Sequence, residues 1–105
     1  MKKFYLFCSA GMSTSMLAKK MQECADINKL KLEIKAFSIS NMDEVVSKEN
    51  PDLILLGPQV GYLLEETKKK YSKIPVMAID MNAYGKMDGE RVLKMAVVAY
   101  KESKL

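Results

Sequence analysis

A thiol and a row of small, mostly hydroxyl-bearing residues stand together near the start of the chain: Cys8, Ser9, Ala10, Gly11, Met12, Ser13, Thr14 and Ser15. Cysteine attacks as the thiolate, and a helix N-terminus favours that form through its positive dipole end. The same end binds anions through its unpaired N–H groups. The surrounding residues fit such an arrangement. Residues 4–7 are a short apolar, aromatic run suited to a buried strand. Cys8 stands where that run stops. Gly11 can turn the backbone, and Ser13 can cap a helix opening with Thr14, Ser15, Met16 and Leu17. Strand, loop and helix N-terminus would place a nucleophile and a phosphate site on one loop. Most unbridged cysteines are buried small hydrophobes. At Cys8 the small-residue loop and the capped helix favour the reactive reading, whereas Cys24, on the apolar face of that helix, reads as structural.

The remaining elements must position this loop. A first strand is expected over residues 3–8 and a helix over 13–25, with Met16, Leu17, Met21, Cys24 and Ala25 inward. Residues 31–37 alternate, with Leu32, Ile34 and Ala36 on one face, as in an edge strand. Ser40 and Asp43 resemble a capping box for a helix over 41–48, which Asn50 and Pro51 close. Residues 52–57 contain four consecutive apolar residues, as in a central strand covered on both faces. A helix over 60–71 turns Leu63, Leu64 and Thr67 inward and leaves Lys68, Lys69 and Lys70 in solvent. A fourth strand covers 76–79, a loop 80–89, and a last helix follows Asp88 with Val92, Leu93, Ala96, Val97 and Tyr100 as its stripe. Such alternation predicts an α/β domain over residues 1–105: one open four-stranded parallel sheet, order 2-1-3-4, helices on both faces. Ligands bind where strand order reverses, outside the carboxyl ends of strands 1 and 3. Three loops should therefore share one rim: residues 8–14, Gly57-Pro58-Gln59, and the segment holding Tyr84, Gly85, Asp88 and Gly89. Tyr84 and Gln59 each suit either packing or hydrogen bonding there, and Met12 could cover the site or meet a partner.

The totals exclude much else. The chain of 105 residues carries 17 basic and 13 acidic side chains, a mild +4, with no concentrated basic stripe of the kind nucleic acid requires. It contains no histidine, which removes Ser-His-Asp and Cys-His catalysis and His-ligated metals. Two cysteines without histidine argue against a zinc site and make no disulfide framework. No apolar run approaches a membrane span or a signal peptide, so a cytoplasmic protein with reduced thiols is expected, without membrane insertion. Nothing demands more than a monomer. The loop after Cys8 is neither a Walker A sequence nor a G-x-G-x-x-G turn, and no cofactor is indicated.

Three segments taken together, Cys8-Ser-Ala-Gly-Met-Ser-Thr-Ser15, Leu55-Leu-Gly-Pro-Gln59 and Tyr84-Gly-Lys-Met-Asp-Gly89, resemble the enzyme IIB component of the bacterial sugar phosphotransferase system, lactose/cellobiose (chitobiose) branch. The resemblance covers essentially the whole chain. It implies a protein-phosphocysteine–sugar phosphotransferase of four-stranded parallel fold. Cys8 would take a phosphoryl group from a phosphohistidine of the IIA protein. A disaccharide bound by the membrane IIC protein would then receive it. The resemblance makes residues 9–15 the phosphate-binding loop and Pro58, Gln59 and Tyr84 rim residues. The loop also resembles the C-x5-R loop of cysteine phosphatases, but Thr14 occupies the arginine position and residues 8–18 carry no charged side chain. Main-chain N–H groups and the Ser13, Thr14 and Ser15 hydroxyls would then hold the phosphoryl group, in a site suited to carry it rather than hydrolyse it. A small phosphatase and a non-enzymatic phosphate- or nucleotide-binding module stand as the alternatives.

Overall fold

The computed structural model describes residues 1–9 and 11–105, with all of their side chains except those of residues 11 and 12. The elements follow in the order β1 (Lys2–Cys8), α1 (Gly11–Ile27), β2 (Leu32–Ser38), α2 (Met42–Glu49), β3 (Leu53–Leu56), α3 (Leu64–Lys70), β4 (Val76–Ala78), α4 (Met81–Gly85) and α5 (Gly89–Glu102). Two 3-10 segments, Ile39–Asn41 and Pro58–Leu63, lead into α2 and α3. All pairings are parallel and the sheet order is β2-β1-β3-β4, as the alternation of strands and helices predicts.

The apolar runs explain this order. The last five residues of β1 and all four of β3 are buried, so these two strands take the middle of the sheet. Their side chains alternate between two cores. Leu6, Leu53 and Leu55 pack beneath α1 and α5, against Leu17, Met21 and Val92. Tyr5, Phe7, Ile54 and Leu56 pack on the other face, against Met42, Val46 and Val60. In β2 the alternation is kept: Leu32 and Ile34 are buried while Lys35 is exposed. Among the described residues no helix is long and apolar enough to cross a membrane.

Several local expectations are corrected. Helix α1 begins at Gly11 rather than at Thr14, so Ser13 lies inside its first turn and is not the cap. Met16 is 54% exposed, and Ala18 is buried in its place. At about 100° per residue, Leu17, Ala18, Met21 and Ala25 define one stripe and Met16 falls nearly opposite it. Thr14 lies on the buried stripe. The capping box at Ser40 and Asp43 does not form. Ser38 caps the 3-10 turn instead, and Asn41 precedes α2 with no side-chain cap. Asp43 is drawn away by α3: it accepts from Lys70 Nζ at 2.7 Å and from the Tyr71 hydroxyl. Asn50, at φ 48°, closes α2 as expected.

The helix expected over 60–71 is divided, because Val60 is buried at non-helical angles and Gly61 weakens a helix there. The expected loop over 80–89 contains α4, whose five residues are too few to show a period; Asp80 caps it by accepting from Ala83 N at 2.9 Å. Asp88 caps α5 as expected, accepting from Arg91 N at 3.1 Å.

Candidate functional site

Cys8 is the last residue of β1 and stands opposite Ser38, the last of β2. It is 2% exposed. On its other side β3 ends, and Gly57 N donates to Phe7 O at 2.9 Å, so the chain leaving β3 runs directly past the thiol. A Cβ on Gly57 would lie 2.8 Å from Cys8 Sγ, closer than real Cβ contacts come, and 3.1 Å from its Cβ, which is tight. Only glycine lets the two strand ends approach this far. Two residues on, Gln59 turns back over the sulfur, and Sγ donates to Gln59 Oε1 at 3.2 Å. Pro58, half-buried between them, opens the 3-10 segment.

The start of α1 supplies the other side. This helix of 17 residues begins three positions after Cys8 and has no acidic residue in its first turn to compete for its N–H groups. Its field favours an anion placed there, by roughly 0.3–1 kcal/mol per charge in exposed settings. Ser9, Ser13 and Ser15 are exposed. The places expected of Ala10 and of the Met12 side chain in the phosphate loop lie outside the described residues, and Gly11 is described only as the first residue of α1.

Thr14 is placed differently from its serine neighbours. It is fully buried, and its hydroxyl pairs with that of Tyr84 at 3.0 Å. Tyr84 is only 9% exposed and belongs to the core beneath α1 and α5. The pair fastens the first turn of α1 to α4 across 70 positions of sequence. A shared hydroxyl bond between two buried side chains satisfies both, and loss of either partner would leave the other unsatisfied. Sequence reasoning named both residues but had no means of joining them, since neither lies in a motif with the other.

The expected rim thus divides in two. Cys8, Gly57 and Gln59 meet around the sulfur, while Thr14 and Tyr84 meet in the core behind the first turn of α1. Cys24, in the last turn of α1, is half-buried and receives Asn28 Nδ2 at 3.5 Å. The chain's one arginine, Arg91, donates to Asn82 Oδ1 at 3.1 Å and pairs with Asp80 at 3.6 Å, beside α4.

Against known proteins, the family described as "PTS system, Lactose/Cellobiose specific IIB subunit" matches residues 3–95. The galactose-specific EIIB component of the PTS from Lactococcus lactis subsp. cremoris is 41% identical over 100 residues, covering 90% of this chain and 93% of that protein. The oligo-beta-mannoside-specific EIIB component of Bacillus subtilis is 40% identical over 99 residues, covering 92% and 94%. Among solved structures, the cellobiose-specific phosphotransferase IIB component from Borrelia burgdorferi superposes with a TM-score of 0.76 at 32% identity, over 97% of this chain and 94% of that one. The lactose-specific IIB domain from Streptococcus pneumoniae shares the fold at a TM-score of 0.83 and 19% identity, over 94% and 97%.

Proposed function

Since this chain belongs to the lactose/cellobiose-specific IIB subunits of the sugar phosphotransferase system, and so is a sugar-specific component of that uptake system, we propose that Cys8 is its phosphoryl carrier. The thiol takes a phosphoryl group from a phosphohistidine of IIA and passes it to a disaccharide held by the membrane protein IIC. The observation that carries this reading is the position of Cys8: the carboxyl end of β1, where sheet order reverses toward β3, with α1 starting three residues later.

Two in-line displacements at one sulfur account for the activity. In the first, the sulfur's electron pair forms the S–P bond, the P–N bond of phosphohistidine breaks, and the thiol proton ends on the imidazole. In the second, the sugar oxygen forms its bond to phosphorus, the S–P bond breaks, and a base on IIC removes the hydroxyl proton. Little covalent chemistry falls to the protein in phosphoryl transfer; it positions the group and stabilises charge on the equatorial oxygens. Main-chain N–H groups of residues 9–15 and the serine hydroxyls there serve that purpose. Main-chain donors carry no full charge, and the bidentate arginine clamp of cysteine phosphatases is missing: Thr14 holds that place, and Arg91 is engaged beside α4. Both features support retention of the phosphoryl group over hydrolysis. Selection of the sugar falls to IIC, which holds it, and the exposed rim serves IIA and IIC in turn.

The test is reconstitution. Phosphorylated IIA, this protein, and membranes containing IIC are combined with labelled cellobiose or chitobiose. Sugar phosphate that forms only when this chain is present is the expected result. Sustained turnover of an aryl phosphate by the protein alone would favour a phosphatase and contradict the carrier role.

A further inference from the structure

Resting on that carrier reading, we propose that Gln59 is a catalytic residue whose side-chain amide turns from accepting to donating as Cys8 gains its phosphoryl group. Its carboxamide touches the reacting atom, with Cys8 Sγ donating to Oε1 at 3.2 Å across 51 positions of sequence. The contact is built rather than incidental. A Cβ on Gly57 would lie 3.4 Å from the same Oε1, an ordinary contact, but only 2.8 Å from Sγ, so the glycine is what lets the chain carrying Gln59 pass this near the sulfur. The 3-10 segment Pro58–Leu63 then holds Gln59 at the strand end, with Val60 buried beside it.

A carboxamide has an acceptor end and a donor end of nearly the same shape, exchanged by a half-turn of its last torsion. Facing a protonated sulfur, Oε1 accepts. Once the sulfur bears a phosphoryl group it has no proton, and the phosphoryl oxygens are acceptors only. A carbonyl oxygen aimed at them is repelled, whereas Nε2 donates to them. The half-turn therefore supplies a hydrogen bond that exists only when the group is on, or arriving at, Cys8, which is the condition for lowering a barrier. Glutamine remains uncharged throughout and takes up no proton; in the first transfer the thiol proton goes to the departing imidazole. When the sugar takes the phosphoryl group, the base on IIC that removes the hydroxyl proton passes it to the departing sulfur, the thiol is restored, and Oε1 accepts again. A carboxylate at this place could serve only the thiol, and an ammonium only the phosphoryl group.

The test uses the full chain with Gln59→Met and Gln59→Glu. Gln59 is exposed, so neither variant disturbs a core. The rate of phosphoryl arrival at Cys8 is measured against the concentration of phosphorylated IIA, and the lifetime of the phosphocysteine is measured after IIA is removed. Loss of one donor to transition-state charge slows catalysis by ~10²–10³-fold in closed sites. Because Gln59 is itself exposed to water, Gln59→Met is expected to slow transfer about tenfold and Gln59→Glu about a hundredfold, the half-saturating IIA concentration staying unchanged. Wild-type rates and wild-type phosphocysteine lifetimes in both variants, with Cys8 labelled normally, would overturn the role of Gln59 while leaving the carrier intact. A slowing expressed only as weaker IIA saturation would also overturn it, making Gln59 a docking residue. A wild-type protein that acquires no label on Cys8 is a separate result and removes the carrier reading together with this one.

Discussion

Helix α1 begins beside one thiol and carries the other in its last turn, and the two surroundings have little in common. Cys8 is enclosed by residues brought from far along the chain: Gly57 at the end of β3 and Gln59 just beyond it. Cys24 is held by its own helix, with Asn28 N and Nδ2 both donating to its carbonyl, at 3.1 and 2.8 Å. A helix start presents N–H groups and the positive end of its dipole, whereas a helix end presents carbonyls, which repel a phosphoryl group. One side-chain type on one helix is thus given opposite prospects by topology. The parallel sheet brings several strand ends to the start of α1, while the end of α1 lies beside α5 and the turn that leads into β2.

The sharpest way to break that contrast is to exchange each sulfur for oxygen. Cys8→Ser is expected to abolish sugar-phosphate formation in the reconstituted system, and Cys24→Ser to leave it within about twofold, since Cys24 stands at the far end of α1 from the reacting sulfur. Equal losses in the two variants would erase the distinction. Next in size is Gly57→Ala. Its Cβ would meet Sγ at 2.8 Å, so the sulfur or the strand end must move. A displacement near 1 Å in a positioned group costs roughly 10²-fold in rate, and a loss of that order is expected in phosphoryl transfer to Cys8 with thermal stability much less affected.

Gly89→Ala is the counterpart near Cys24. Its Cβ would lie 2.8 Å from Lys20 Cβ and 2.9 Å from Lys20 C, where backbone rather than a flexible side chain must give way. Overpacking of this kind costs about 2–3 kcal/mol, read as a lower urea midpoint, while the transfer rate of the folded protein stays near wild type. The smallest effect concerns the pair behind the first turn of α1. Tyr84→Phe leaves the buried Thr14 hydroxyl without its partner and should cost about 1–2 kcal/mol. The double variant with Thr14→Val should recover part of that loss, because both polar groups are then gone; a double-mutant cycle in urea measures the coupling.

How much of this the sequence disclosed follows from the range of each interaction. Sheet order was legible because the strands differ in pattern: Leu53, Ile54, Leu55 and Leu56 have no polar face, whereas β2 alternates. Cys8 was legible because it ends an apolar run and precedes small residues. The start of α1 was misjudged by reading Ser13 as a cap, since hydroxyl residues serve equally well inside a first turn. Asp43 misled in the same way, because its preference for a local cap loses to Lys70 and Tyr71, which arrive 27 and 28 positions later. Helix α4 is shorter than two turns and offers no period to detect. The contacts Cys8–Gln59 and Thr14–Tyr84 join residues 51 and 70 positions apart, and no local pattern encodes such a pairing.

The central claim is that one sulfur, at the carboxyl end of β1, takes the phosphoryl group. Incubating the wild-type protein with phosphorylated IIA and locating the added group by peptide mass spectrometry tests it directly. The account predicts a single phosphorylated peptide, modified at Cys8. Stoichiometric label on Cys24, on a serine or threonine of residues 9–15, or on any other side chain would contradict it.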